Sequence, residues 1–104
     1  MLLEERPRHA SFQLQQSAEK LLKAALIARG QKPERVHDLV LLAFILDPTL
    51  LVDDRVVSAA RLLTLVGSRS RYPDRIVEMG AEEDQALLEA ARMVRDFAMR
   101  CLPT

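Results

Sequence analysis

Residues 10–29 read ASFQLQQSAEKLLKAALIAR, twenty positions without proline or glycine, and their spacing decides the fold. Leu14, Ala18, Leu21, Ala25 and Ala28 recur at alternating intervals of four and three, and Leu22 and Leu26 widen the stripe. That is the period of an α-helix with one apolar face. Ser11 suits an N-cap, and Gly30 stands where a helix commonly needs a left-handed residue to stop. At about 1.5 Å per residue the helix is close to 30 Å long, the length scale of a bundle.

Outward from this segment, Pro33 fits the first turn of a second helix, because the N–H it lacks has no partner there, and Glu34 favours the positive end of the dipole. Val40 to Leu46 is an unbroken apolar run, too short for the roughly 20 residues that cross a bilayer. It continues the helical pattern of Val36 and Leu39 and is apolar on every side. Such a helix is expected to be buried all round, with part of its surface against a second copy of the chain. Asp47 and Pro48 end it and suit the start of the next. Val52, Val56, Ala59, Ala60, Leu63 and Val66 share one face of a third helix, with Gly67 as its stop. Residues 68–80 are polar and punctuated and read as a long connection with a short turn at 76–79. A fourth helix begins with Glu82, Glu83 and Asp84, ends among Arg92, Arg95 and Arg100, and carries the stripe Leu87, Ala90, Val94, Phe97 and Cys101. Four helices with mostly short links and no strands make an all-α, up-and-down four-helix bundle.

Composition agrees and excludes. The 104 residues suffice for a single domain spanning 1–104, 49% are apolar, and aromatics at 4% are too few for an all-β design. Fifteen basic residues balance fifteen acidic ones, so no long-range field gathers nucleic acid or membrane, and such binding has to come from a local patch. The lone Cys101 forms no internal disulfide. Glu4 and Glu5 stand where a signal peptide needs an apolar stretch, and together these features lead to an expected cytoplasmic location.

Few residues carry chemistry. Glu34 and His37 form an E-x-x-H pair, but a di-metal bundle needs a second such pair, and the only other histidine is His9. No metal and no cofactor is therefore expected. Cys101 falls on an apolar stripe, as a buried thiol does, and neither a nucleophile elbow nor a phosphate-binding glycine loop is present. On helix one, Gln15, Glu19 and Lys23 are four apart, with Gln16 and Lys20 in a parallel row. By spacing alone this is a solvated face with one Glu–Lys pair. Arg69, Arg71 and Arg75, with Tyr72 among them, offer guanidinium groups for phosphate and a ring for stacking.

Taken together, the string Gln15 to Ala24 (QQSAEKLLKA), then His37-Asp38-Leu39, then Arg71-Tyr72-Pro73-Asp74 resemble the HEPN domain family in order and spacing from about Ala10 to Leu102. The resemblance implies a helical bundle, usually a homodimer, in prokaryotic cytoplasm. It also implies a frequent pairing with a minimal nucleotidyltransferase in a toxin–antitoxin module. Carried over to this chain, it makes Glu19, Lys20, Lys23, His37, Arg71 and Tyr72 candidates for binding a nucleotide, RNA or the partner protein. Tyr72, the only tyrosine, is a candidate acceptor for modification. Ribonuclease members of the superfamily carry an arginine, four to six residues and a histidine near the start of the last long helix. Here no histidine follows His37, Arg29 lies too far before it and Arg35 too near. The alternatives are a ribonuclease toxin with a non-standard set such as His37 with Arg71, and a purely structural dimerisation module.

Overall fold

Apolar periodicity places four helices, and the computed structural model contains four among the described residues. They are α1 (Arg6–Ala28), α2 (Leu39–Leu46), α3 (Arg55–Arg69) and α4 (Ala81–Cys101). The structure describes residues 6–33, 35–69 and 81–103, with side chains described over 12–33, 35–67 and 84–103. Among the described residues there is no strand. Nor, among them, is any helix long and apolar enough to cross a membrane. Helices α1 and α3 pack on each other, and each also packs on both α2 and α4. One core results, formed by Ala18, Leu22, Ala25 and Leu26 of α1, Leu39, Leu42, Ala43 and Leu46 of α2, Ala60 and Leu63 of α3, and Leu87, Val94 and Phe97 of α4. The expected all-α bundle is what forms.

Several boundaries differ from those read in the sequence. Helix α1 starts at Arg6, so Ser11 is a helical residue and not its cap. Pro7, near the helix start, is tolerated because the first N–H groups of a helix have no partner within it. At the other end the expected stop holds. Gly30 has φ +83°, its N–H reaches the Ile27 carbonyl, and the Gln31 N–H reaches back to Leu26. This pair of bonds satisfies two carbonyls that the helix end leaves open.

Helix α2 starts at Leu39 and not near Pro33. Pro33 is buried in the connecting segment, with a turn from its carbonyl to the Val36 N–H. Asp38 is the true cap: its backbone is extended and its carboxylate accepts from the N–H groups of Val40 and Leu41. The Leu39 N–H is taken by the Thr64 hydroxyl of α3. A carboxylate that accepts two amides outweighs a proline's preference for a first turn. Within the single chain the run is buried at Leu42, Ala43 and Leu46, while Leu41 is 49% exposed.

Helix α3 takes its cap from Asp54, whose carboxylate accepts from the Val56 N–H. Asp47 instead ends α2 and holds the turn at Thr49. Val52 lies before α3 and is exposed. Gly67 does not stop α3, which runs on to Arg69. It is a helical glycine packed against Gln15 of α1, where an added Cβ would stand 2.5 Å from the Gln15 Cγ. All five residues of the α4 stripe are buried.

Candidate functional site

The stripe that buries α1 does not consist of apolar residues alone. Positions 15, 19, 22 and 26 lie on one face of a helix. Gln15 and Glu19 therefore continue the line of Leu22 and Leu26 into the bundle, and are only 4% and 6% exposed. Expected as members of a solvated face, both are buried polar groups, and buried polar groups need partners.

Glu19 finds three. The Gln15 Nε2 donates to Glu19 Oε1 at 3.2 Å. The Lys23 Nζ lies 3.0 Å from Oε2, so the expected Glu–Lys pair forms, but around a buried carboxylate. The third partner is His37, whose Nδ1 is 2.9 Å from the same Oε2. Burial alone would raise the Glu19 pKa, but the hydrogen bonds from His37 and Lys23, the Lys23 charge and the Gln15 bond together hold it below the ordinary glutamate value.

The sequence brings His37 there in two steps. Gly30 turns the chain back after α1, and the Asp38 cap fixes the residue that follows His37. The imidazole reaches Glu19 across eighteen positions, yet its side chain remains 64% exposed. Lys23 is partly exposed. One buried carboxylate thus holds an imidazole and an ammonium group at the protein surface.

The remaining candidates divide. Lys20 is exposed on α1 beside this cluster. Arg71 and Tyr72 lie outside the described residues, as do Glu34, Asp74, Arg75 and the turn read at 76–79. None of Glu19, Lys20, Lys23 and His37 lines either of two shallow depressions, of about 300 Å³ between α3 and α4 and about 360 Å³ at the end of α1. Among the described residues no three His, Cys, Asp or Glu side chains gather as a metal site would require. Cys101 is a free, buried thiol, and burial pushes its pKa up, against the weaker opposing pull of Arg29.

Two residues escape the sequence reading. Gln15, taken only as part of a row, is the buried partner of Glu19, and its phase with Leu22 and Leu26 is the signal for it. Arg29 donates from Nε to the Cys101 carbonyl at 3.0 Å and from Nη1 to the Leu46 carbonyl at 2.8 Å. It ties the ends of α2 and α4 to the end of α1, and no local pattern announces it.

The class of protein so defined is an all-α helical bundle whose first long helix carries a buried carboxylate linked to the entry of a short second helix. The chain belongs to the HEPN domain family, whose model matches residues 1–102. Comparison with curated proteins and with solved structures returns no match.

Proposed function

We propose that this HEPN protein binds a nucleotide, a minimal nucleotidyltransferase partner, or both, in a two-component module of the toxin–antitoxin type. The observation that carries the proposal is the Glu19 cluster. Lysine and imidazolium N–H groups suit phosphate oxygens, and a buried carboxylate that restrains them lowers the entropy lost when a ligand docks. Lys20 adds a further charge on the same helix. Arg71 and Tyr72, from the connection between α3 and α4, complete the proposed set.

The protein acts as a homodimer in this proposal, with Leu41 of α2 as part of the seam. Light scattering on the purified chain is expected to give twice the chain mass, and Leu41→Asp to halve it. Affinity purification from the native host is expected to recover a small nucleotidyltransferase, and calorimetry with ADP to show binding that Lys23→Ala weakens about tenfold, the effect of one lost charged contact of roughly 1.4 kcal/mol. Recovery of the homodimer alone, with no heat on adding ADP, contradicts the proposal.

A ribonuclease with a non-standard site is the second reading. It is supported by one feature: a carboxylate on Nδ1 is the arrangement that orients an imidazole for proton transfer. RNA cleavage by the purified chain that His37→Ala abolishes would favour it.

A further inference from the structure

Gly67 of α3 and His37 lie thirty positions apart in sequence, and a chain of packed and hydrogen-bonded groups joins them. Any side chain at 67 would drive its Cβ to 2.5 Å from the Gln15 Cγ and 3.0 Å from the Gln15 Cδ. Those are stem atoms of a buried side chain, with little room to move aside. The Gln15 amide in turn has one outcome that makes chemical sense. Its Nε2 faces Glu19 Oε1, and turning it over would set oxygen against carboxylate. The buried Gln15 Oε1 meanwhile has no hydrogen-bond partner, so nothing but Glu19 rewards this orientation. Glu19, fixed from that side, meets the His37 Nδ1 with its other oxygen.

We propose that Gly67, Gln15 and Glu19 are positioning residues that set the tautomer of His37, so that the neutral ring keeps its proton on Nδ1 and presents a bare Nε2 to the ligand. A consequence concerns phosphate. A carboxylate accepts and cannot donate, so Nδ1 must carry the proton in this bond. Nε2 of the neutral ring then offers only a lone pair, which repels a phosphate oxygen. A phosphate group engages Nε2 only as a second proton arrives and the ring becomes imidazolium, with an N–H to donate on each side. Binding of a phosphate-bearing ligand at His37 is thereby coupled to proton uptake.

Among the described residues, Glu19 of α1 bonds the ring and Lys23 shares the same carboxylate, while Arg35 and Asp38 are charged neighbours of His37 in sequence. The Asp38 carboxylate is engaged by the amides of Val40 and Leu41, and α3 contributes the uncharged Thr64 hydroxyl at Leu39. Only the phosphate clause rests on the proposed nucleotide binding; the positioning chain does not.

The test has two readouts on the full chain. Long-range proton–nitrogen NMR of the histidine rings, with His9→Gln to separate the two signals, reports the tautomer above the pH range in which imidazole titrates. The wild-type His37 is expected as the Nδ1–H form. Gly67→Ala is expected to move it towards the Nε2–H form that free imidazoles favour, and Gln15→Ala to do the same without overpacking. If wild-type His37 is already Nε2–H, or if both variants leave it as Nδ1–H, the positioning chain is overturned. Calorimetry with ADP in two buffers of different ionisation enthalpy is then expected to show net proton uptake that His37→Ala removes. ADP binding with no proton uptake overturns the coupling. An Nδ1–H ring that responds to Gly67→Ala in a protein that does not bind ADP sustains the positioning chain and refutes the nucleotide reading instead.

Discussion

Helix α1 carries two polar anchors, and they do opposite things. Just past its C-terminal end, Arg29 sends its donors to the Cys101 and Leu46 carbonyls, main-chain groups at the ends of two other helices. Its bonds close the bundle. Ten residues earlier Glu19 directs its acceptors to side chains, and two of these, Lys23 and His37, remain open to solvent. Its bonds present groups to whatever arrives. The same helix thus holds a staple and a display, distinguished by what the partner atoms are free to do afterwards.

Breaking the staple is expected to have the largest effect on stability. Arg29→Ala removes two charge-assisted hydrogen bonds, and a part-buried pair of this kind is worth about 2 kcal/mol by urea denaturation. Glu19→Ala is expected to cost somewhat less, about 1.5 kcal/mol, chiefly by orphaning the buried Gln15 amide, since Lys23 and His37 can turn to water. Gly30→Ala, which forces a side chain into φ +83°, is expected to lower stability by about 1 kcal/mol. His37→Ala comes last, at about 0.5 kcal/mol or less, because an exposed partner contributes little.

Acid sharpens the comparison. Glu19 titrates lower in the fold than in the unfolded chain, so its contribution is complete above the ordinary glutamate range and is lost as pH falls through that range and below it. The stability gap between wild type and Glu19→Ala is therefore expected to shrink on acidification. The gap to Arg29→Ala does not depend on that carboxylate and is expected to persist while the fold does. Denaturation series at several pH values measure both.

How much of this the sequence discloses depends on the range of the interaction. Helix α4 is legible in full, because its stripe from Leu87 to Cys101 and the start of its register are local properties. The stop at Gly30 is equally local. Helix α2 is misplaced by the sequence because Pro33 and Asp38 both mark helix starts, and only the carboxylate's bonds to Val40 and Leu41 decide between them. Gly67 reads as a terminator for want of knowledge that Gln15 packs on it from another helix. The Glu19–Lys23 pair follows from spacing of four, but its burial depends on which face turns inward, and His37 joins it only through the path of the connecting segment. Lys23 and His37 do meet on the buried Glu19, with Lys20 exposed beside them on α1. Arg71 and Tyr72 lie outside the described residues.

The central claim is that the display on α1, and not a groove elsewhere, is the surface that meets a ligand. Titration of the isotope-labelled protein with ADP, followed by NMR shifts of every backbone amide and both histidine rings, tests it most directly. Shifts concentrated at Glu19, Lys20, Lys23 and the His37 ring are the predicted result. Saturable shifts along the depression between α3 and α4, with the His37 ring unmoved, or no shifts at all, would contradict it.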